Sequence, residues 1–311
     1  MSTDTPATRP TPGTVTLGGD LTFGSIGYGA MQLTGPKFWG PYPDHAKGVA
    51  LLREVVAQGV TFLDTADVYG PHSNEELVRE ALHPYPDDLV IATKGGFVSG
   101  GPGFTEMGAV GNRAYLRQAA RMSLRRLGLD RIDLYYLHTP SMTDVPFEEA
   151  VETLAGLREE GVIRHIGLSN VSAAQLRTAL TLTDIAAVTV PYNLAIRLGG
   201  PVRRVAEEHG IVFSPWRPTA IPTGEAGDAI RAAVEPIAHR HGATVQQIAL
   251  AWQLHRTTNA LPIPGTTDPA HLRENLAAAH VRLTQDEVAA LTALAPEPTD
   301  ETLAVPVPGR S

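Results

Sequence analysis

Four side chains that could hold or move a proton lie at or near the ends of short apolar runs in this chain. Asp64 ends the run FLD, Lys94 ends VIATK, His138 ends LYYLH, and Tyr69 follows Asp64 by five residues. A cationic Lys94 beside the Tyr69 phenol would lower the pKa of that phenol from about 10, while Asp64 would hold the ammonium. These residue types predict general acid catalysis, with Tyr69 as a proton donor usable near neutral pH.

Each of the three strand-end residues also has an ordinary structural explanation. Asp64 could cap a loop or a helix, Lys94 could keep its ammonium in water, and His138 could be a hydrogen-bonded core residue. Polar groups at the ends of three successive buried strands, however, carry a desolvation cost unless they pair. Because such pairing shifts pKa values toward catalytic use, we favour a joint site.

Short apolar runs alternate with longer amphipathic runs along the chain, which predicts alternating strands and helices. The strands are expected at 25–28, 61–64, 88–93, 131–137, 162–167, 186–190, 210–213 and 260–263. The helices are expected at 44–59, 73–82, 112–127, 146–160, 172–182, 200–208, 225–255 in two pieces, and 268–279. Apolar strands joined by crossover helices must be parallel and covered, so the fold class is α/β.

Two α/β architectures fit this pattern, a doubly wound sheet and a (β/α)8 barrel. A doubly wound dinucleotide-binding sheet should carry G-x-G-x-x-G after its first strand, and the run GYGAMQ at 27–32 fails that pattern at its last position. Eight repeats favour the (β/α)8 TIM barrel, with an N-terminal β-hairpin turning at Gly18-Gly19-Asp20. In such a barrel the strand ends meet at one mouth, where function gathers.

Composition narrows the classes of partner. The chain has 311 residues, 25 Lys and Arg against 33 Asp and Glu, a formal charge of −8 and no cysteine. A disulfide scaffold and a cysteine nucleophile are excluded. The acidic balance, without a block of five basic residues, argues against nucleic acid and anionic lipid, and a small molecule is the expected partner.

The ends of the chain resemble neither a signal peptide nor a membrane anchor, and no run approaches ~18 apolar residues. We expect a cytoplasmic protein. Its single barrel domain spans 14–297, between a flexible N-terminal tail at 1–13 and a C-terminal tail at 298–311. The sequence indicates no oligomeric state.

Asp64, Tyr69, Lys94 and His138 resemble the catalytic tetrad of the aldo-keto reductases. The segments FLDTADVYG, VIATKGG, DLYYLHTP, IRHIGLSN and LPIPGTTDPAHLRENLAAA resemble that family from about residue 14 to residue 294. The resemblance implies that NADPH lies across the barrel mouth and delivers hydride to a carbonyl carbon of an aldehyde or ketone. Tyr69 would protonate the oxygen and His138 would position it. No metal is implied, since His239-Arg240-His241 offers no third ligand.

The same resemblance implies residues that bind the nicotinamide half of the cofactor. Ser169 and Asn170 match the pair that grips the carboxamide, whereas Thr189 stands where the family usually has glutamine. Phe213 stands where a tyrosine often stacks on the ring. The nearby residues expected to contact the cofactor are Gly29, Met31, Ser214, Pro215, Trp216 and Arg217. Arg217 could contact the pyrophosphate or the substrate, or remain a solvated loop residue.

The adenosine half of the cofactor is implied at the far end of the chain. Gly265-Thr266-Thr267, His271, Glu274 and Asn275 match the adenosine and 2′-phosphate site. Thr266 would bond the phosphate near a helix N-terminus. Some relatives have Lys and Arg where this chain has Gly265 and His271, so NADPH is favoured and NADH is expected to be tolerated.

Residues on the loops after the first and seventh strands are expected to line the carbonyl pocket. They are Gln32, Phe38, Trp39 and Tyr42, with Met31 and Trp216. The aromatic members could equally pack under a long loop. Loops 36–43, 96–111 and 214–226 should set the substrate, and the runs GYGAMQLTG, GPH and REALHPY resemble a bacterial branch that includes pyridoxal reductases.

Two other functions are compatible with these residues. The loss of the glutamine at position 189 motivates a tailoring enzyme, such as a dehydratase or epimerase, that converts its substrate without net consumption of NADPH. A non-catalytic subunit that senses NADPH is the third possibility, although both tails lack an amphipathic stripe for a partner.

Overall fold

Strands and helices alternate along the chain as its apolar periodicity predicts. The computed structural model describes residues 13–305. The strands are β1 (Thr14–Leu17), β2 (Leu21–Gly24), β3 (Tyr28–Gly29), β4 (Phe62–Asp64), β5 (Val90–Gly95), β6 (Phe97–Ser99), β7 (Met107–Ala109), β8 (Ile132–Leu137), β9 (Ile163–Ser169), β10 (Ala187–Pro191) and β11 (Val212–Trp216). The helices are α1 (His45–Ala57), α2 (Ser73–Leu82), α3 (Arg113–Leu127), α4 (Phe147–Glu159), α5 (Ala173–Leu182), α6 (Gly200–Glu208), α7 (Glu225–His241), α8 (Val245–Arg256), α9 (Pro269–Ala277) and α10 (Gln285–Thr292).

Seven of the strands form one parallel sheet in the order β11-β10-β9-β8-β5-β4-β3. These strands are buried on both faces because they pack against one another inside the sheet's curve and against helices outside it. All six residues of β5, for example, are buried. Continuous burial of this kind explains why the strands are apolar runs with polar residues only at their ends.

The curved sheet is closed by the extended segment 259–263, and the sequence predicts an eighth strand over 260–263. The structure has no regular strand there. Instead, Phe213 donates its N–H to Asn259 O at 2.9 Å, Leu261 donates to Phe213 O at 2.8 Å, and Gly27 donates to Pro262 O at 3.0 Å. The segment is therefore hydrogen-bonded to β11 on one side and to the residues before β3 on the other, which gives an α/β barrel.

The predicted helices form with ends within two residues of their expected positions. Capping boxes at Ser172 and Gln175 and at Thr244 and Gln247 fix the starts of α5 and α8, because each side chain satisfies a backbone N–H of the first turn. Helix α10 is an addition to the predicted set, and its own capping box joins Thr284 to Glu287.

A second addition is a short antiparallel hairpin after β5. Strands β6 and β7 pair Phe97 with Ala109 and Ser99 with Met107. This hairpin lies within the loop 96–111, which the sequence assigns to the substrate pocket without regular structure. It brings apolar side chains over the same end of the barrel as the carboxyl ends of the parallel strands.

The opposite end of the barrel is covered by the antiparallel pair β1 and β2, in which Val15 lies opposite Phe23. Leu17 and Phe23 belong to one apolar cluster with Phe62 and Leu134 from inside the sheet. Gly18 in the turn packs so closely on His165 that a Cβ there would lie 2.1 Å from the ring. Because the hairpin closes this end of the barrel, a binding site is expected at the other end, where the parallel strands have their carboxyl ends.

Part of the predicted C-terminal tail is packed rather than loose. Within 298–305, Glu301 O accepts the Ala174 N–H at 2.9 Å, and Val305 is 6% exposed in the main apolar cluster. Residues 1–12 and 306–311, which hold most of the predicted tails, lie outside the described residues. Among the described residues, no helix is long and apolar enough to cross a membrane.

Candidate active site

The four predicted tetrad residues come together at the carboxyl ends of β4, β5 and β8. Lys94 Nζ forms a short hydrogen-bonded ion pair with Asp64 Oδ1, donates to Thr65 O at 2.8 Å, and lies 3.5 Å from the Tyr69 hydroxyl oxygen. The rings of Tyr69 and His138 meet edge to face with centroids 6.0 Å apart. Parallel pairing of β4, β5 and β8 produces this cluster, because it places successive strand ends side by side.

The acid–base properties of Tyr69 differ from the sequence prediction. Burial raises the pKa of the Tyr69 phenol, the Lys94 charge lowers it, and the Asp64 charge raises it again, so the net shift is upward from 10.0. The prediction of a pKa lowered toward neutrality is wrong, because it counted the lysine and omitted the burial. Tyr69 therefore keeps its proton at neutral pH.

Lys94 and His138 also have shifted pKa values. Burial opposes the Lys94 ammonium, but the Asp64 charge and the hydrogen bonds to Asp64 and Tyr69 outweigh it, and the pKa of Lys94 is raised. Burial and the Lys94 charge hold the pKa of His138 well below 6.5, so its imidazole is neutral. A neutral imidazole, a neutral phenol and an ammonium are all hydrogen-bond donors, which suits an oxygen that gains negative charge.

One cavity of about 290 Å³ contains the tetrad. Of the residues predicted to bind cofactor or substrate, it is lined by Gly29, Met31, Gln32, Ser169, Asn170, Thr189, Trp216, Arg217 and Gly265. At its edge two backbone segments touch, since a Cβ on Gly29 would lie 2.9 Å from Ile263 O. The cavity thus joins the proton-donating groups to the residues expected to hold a nicotinamide.

The polar wall of the cavity fits a carboxamide. Thr189 is 1% exposed, and its Oγ1 has no hydrogen-bond partner among the described residues. Because a buried hydroxyl without a partner is costly, a polar ligand group at this wall would be stabilised. Ser169 and Asn170, on the neighbouring strand end, are also buried, so the donor set suits the amide end of a nicotinamide.

Three residues of β11 predicted to contact the cofactor do not line the cavity. Phe213 is 1% exposed and packs edge to face on Tyr192, with centroids 5.4 Å apart, in the cluster that includes α8. Successive residues of a strand face opposite sides, so Phe213 and Pro215 point toward the helices while Trp216 lines the cavity. Ser214 is fully buried below it. The stacking role predicted for Phe213 is not supported by this packing.

Apart from Gly265, which lines the cavity, the residues predicted for the adenosine half lie around the start of α9, outside the cavity. Thr266 O accepts the Tyr28 hydroxyl at 2.6 Å, and Thr266 Oγ1 accepts the Asp268 N–H at 3.1 Å. His271 and Glu274 are exposed, Thr267 is half-buried, and Asn275 is 9% exposed. They form a surface that continues from Gly265 at the cavity edge.

The aromatic residues predicted for the substrate pocket lie mostly outside the cavity. Trp39 is 39% exposed, Tyr42 packs against the α1 and α2 cluster, and Phe38 contacts Phe104 at 4.7 Å between centroids. Of the predicted set, Met31, Gln32 and Trp216 reach the cavity. The alternative expectation, packing under a long loop, describes Phe38 and Tyr42 better.

A sequence profile of the Aldo/keto reductase family matches residues 25–296. The chain belongs to the aldo/keto reductase family. Its relatives include an uncharacterised oxidoreductase of Schizosaccharomyces pombe, 39% identical over 279 residues that cover 90% of this chain and 89% of that protein. Pyridoxine 4-dehydrogenase of Escherichia coli is 37% identical over 296 residues, 91% of this chain and 99% of the relative.

Solved structures of aldo/keto reductases have the same fold. The Klebsiella pneumoniae aldo-keto reductase in complex with NADPH superposes with a TM-score of 0.78 at 29% identity, over 96% of this chain and 100% of that one. The prediction of the family is confirmed, and with it the enzyme class of oxidoreductase.

Several cavity residues were missed from the sequence of this aldo/keto reductase. Most are apolar, and they come from the loop after β4, from the hairpin loop, from the segment after β11, and from the closing segment with the residue after it: Val68, Phe97, Phe104, Met107, Pro218, Thr219, Ala220, Ile263 and Pro264. For those in the hairpin loop and after β11, the signal was the assignment of loops 96–111 and 214–226 to the substrate. Which side chains of loop 96–111 reach the cavity depends on the fold of the β6–β7 hairpin, which the sequence does not predict.

Proposed function

We propose that this protein is an NADPH-dependent carbonyl reductase that converts an aldehyde or ketone to an alcohol. The observation that carries the proposal is the Tyr69 hydroxyl, 3.5 Å from Lys94 Nζ, on the wall of a cavity that also holds His138 and the polar residues suited to a nicotinamide. Bound NADPH would supply the hydride, and the protein supplies the proton and the alignment.

The four tetrad residues have distinct roles in this proposal. Tyr69 binds the carbonyl oxygen through its hydroxyl and transfers that proton as the oxygen becomes an alkoxide. Lys94 stabilises the phenolate that results, and Asp64 holds the ammonium in place. His138, as a neutral imidazole, donates an N–H to the same oxygen and fixes its position.

Cofactor residues follow from the same arrangement. Ser169, Asn170 and Thr189 would hold the nicotinamide end, and the region around buried Thr266, half-buried Thr267 and exposed His271 would hold the adenosine end. The preference for NADPH is supported by the Klebsiella pneumoniae structure in complex with NADPH. We further propose a single (β/α)8 barrel domain over 14–297, with 260–263 as its eighth strand.

The substrate class is supported by the cavity and by a relative. Phe97, Phe104, Met107 and Trp216 give the cavity an aromatic and apolar lining, which favours planar or apolar carbonyl compounds. The Escherichia coli relative is named pyridoxine 4-dehydrogenase. Pyridoxal therefore belongs among the first compounds to test.

The test is NADPH oxidation by the purified protein against a panel of aldehydes and ketones that includes pyridoxal, with Tyr69→Phe compared in parallel. We expect turnover to fall at least a thousandfold in Tyr69→Phe, because the acid is lost, while the Kd for NADPH stays within about twofold. Tyr42→Phe removes a hydroxyl outside the cavity and should match the unmodified protein.

The outcomes separate the three candidate functions. Turnover that is unchanged in Tyr69→Phe contradicts the proposed mechanism. Conversion of a substrate without stoichiometric oxidation of NADPH favours a tailoring enzyme, and tight NADPH binding without turnover on any carbonyl favours a sensor.

A further inference from the structure

Asn170 occupies an unusual position between the catalytic and the cofactor-binding parts of the cavity. It follows β9 directly, is 6% exposed, and has a left-handed backbone with φ of 59°. Asparagine tolerates this region better than most residues with a side chain. Its N–H donates to Thr189 O at 2.9 Å, so the backbone is fixed on the neighbouring strand.

Both ends of the Asn170 side-chain amide are held by residues from other strands. Trp216 Nε1 donates to Asn170 Oδ1 at 3.1 Å, across β10 from the end of β11. Asn170 Nδ2 donates to His138 O at 3.2 Å and to Ser169 Oγ at 3.0 Å. Because an indole N–H only donates and a backbone carbonyl only accepts, these partners determine which end of the amide is oxygen and which is nitrogen.

This arrangement limits what Asn170 can offer a ligand. The two hydrogens on Nδ2 are already directed at protein oxygens, whereas Oδ1 keeps a second lone pair. Asn170 is therefore an acceptor toward the cavity. Thr189 lies on the next strand with an unpartnered Oγ1 within the described structure, and its hydroxyl is free to donate.

We propose that Trp216 is a positioning residue that fixes the orientation of the Asn170 side-chain amide. A carboxamide then binds with its NH₂ donating to Asn170 Oδ1 and its carbonyl oxygen accepting from the Thr189 hydroxyl. The inference rests on the proposed NADPH-dependent function. In this proposal the indole of β11 restrains the amide of Asn170 from one side, and the short Thr189 side chain on β10 completes the wall.

The test compares two ligands that differ at the carboxamide. NADP⁺ carries both an NH₂ and a carbonyl oxygen, and its 3-acetylpyridine analogue replaces the NH₂ with a methyl group. Kd values are measured by titration calorimetry, which does not depend on turnover. We expect the unmodified protein to bind NADP⁺ about tenfold more tightly than the analogue, as one hydrogen bond of about 1.4 kcal/mol would give.

Trp216→Phe should abolish most of this discrimination, bringing the two Kd values within about twofold, because Asn170 Oδ1 is no longer held toward the ligand. Thr189→Val should weaken both ligands by a similar factor and leave their ratio unchanged, since both retain the carbonyl oxygen. The Kd of 2′,5′-ADP, which has no nicotinamide, should be the same in all variants.

The proposal is overturned if Trp216→Phe still binds NADP⁺ about tenfold more tightly than the analogue. It is also overturned if Thr189→Val changes the ratio of the two Kd values. If Trp216→Phe alters 2′,5′-ADP binding, the same titrations are made with β-(3-benzothienyl)alanine at position 216, which keeps the ring shape and replaces N–H with sulfur. Failure of the unmodified protein to bind NADP⁺ would contradict the proposed function itself, whereas carbonyl reduction with unchanged discrimination would contradict only the role of Trp216.

Discussion

At the scale of single residues, the Tyr69 phenol is protonated and neutral, and the Lys94 ammonium beside it carries a positive charge. Burial outweighs the Lys94 charge at Tyr69, so the phenol is a weaker acid before the reaction than a free tyrosine. The ammonium is nevertheless 3.5 Å away, where it stabilises a phenolate once the proton has left. Stabilisation is therefore available mainly after proton transfer, which is where it accelerates a reaction.

This balance predicts the pH dependence of carbonyl reduction. Tyr69 must be protonated, and its pKa is raised above 10.0, so kcat/KM should not fall between pH 7 and pH 9. His138 must be neutral, and its pKa lies well below 6.5, so activity should also persist below pH 6.5. The measurement is kcat/KM for one aldehyde from pH 5 to pH 10 at constant ionic strength. A decline in kcat/KM centred near pH 7 or 8 would mean that the Lys94 charge outweighs burial and lowers the pKa of Tyr69.

At the scale of elements, much of the site follows from strand ends alone. The apolar runs ending in Asp64, Lys94 and His138 are read directly from the sequence, and parallel pairing then brings their ends together. The direction of the Phe213 side chain follows from the alternation of residues 212, 214 and 216 with 213 and 215 along β11, but the predicted strand 210–213 ends too early to show it. The β6–β7 hairpin could not be predicted, because its pairing joins Phe97 to Ala109 across a glycine-rich loop without alternation.

The loop between β4 and α2 contains a second buried acid that the proposed reaction does not use. Asp67 is 3% exposed, and its Oδ1 has no partner among residues 13–305. Nearby, Glu75 accepts the Thr93 hydroxyl at 2.6 Å and pairs with Arg126 at 2.5 Å. Burial first, and then the Glu75 charge, raise the pKa of Asp67 well above 3.8, so folding favours the protonated form of this carboxyl.

Asp67→Asn should therefore stabilise the protein increasingly as pH rises. When folding raises the pKa of a carboxyl group, the free energy of unfolding falls as pH rises from the unfolded pKa, near 3.8, to the folded pKa. Asparagine does not ionise, so the variant has no such fall. We expect a gain in the free energy of unfolding of about 1–3 kcal/mol at pH 8 and a smaller gain at pH 5. Urea unfolding at both pH values measures it.

The control for this variant is Asp87→Asn, which changes an exposed carboxylate in the loop between α2 and β5 and should show no comparable gain. A gain at Asp67 that is equal at pH 5 and pH 8 would mean that the effect is packing rather than ionisation. Destabilisation at pH 8 would mean that the carboxylate is ionised and paired in the folded protein.

At the scale of the whole molecule, the barrel separates a covered end from an open end. The β1–β2 hairpin fills one end with Leu17 and Phe23, and the strand ends at the other carry the tetrad. Residues that follow α10 hold the side of the barrel together. Glu297 accepts hydrogen bonds from the Tyr192 hydroxyl after β10, from Arg203 of α6 at 3.2 Å and from Arg256 of α8 at 3.3 Å.

Glu297→Gln should weaken the whole barrel because the arginines would lose the carboxylate they share. The Glu297 side chain is 14% exposed, so we expect a loss of about 3 kcal/mol in the free energy of unfolding at pH 7, measured by urea denaturation. Burial raises the pKa of Glu297, but the Tyr192 hydrogen bond and the arginine charges outweigh it and lower the pKa below 4.5. The difference between the two proteins should therefore shrink as pH falls through that lowered pKa.

Glu301→Gln is the matched control, since Glu301 pairs with Arg177 across an exposed surface where salt screens the charges. We expect a clearly smaller loss there, and one that decreases as salt is added. The Kd for NADPH should be unchanged in both variants, because neither residue lines the cavity. Equal losses in the free energy of unfolding for Glu297→Gln and Glu301→Gln would mean that the buried carboxylate contributes no more stability than a surface ion pair. Apolar packing around Trp252 and Val305 would then hold this part of the barrel together.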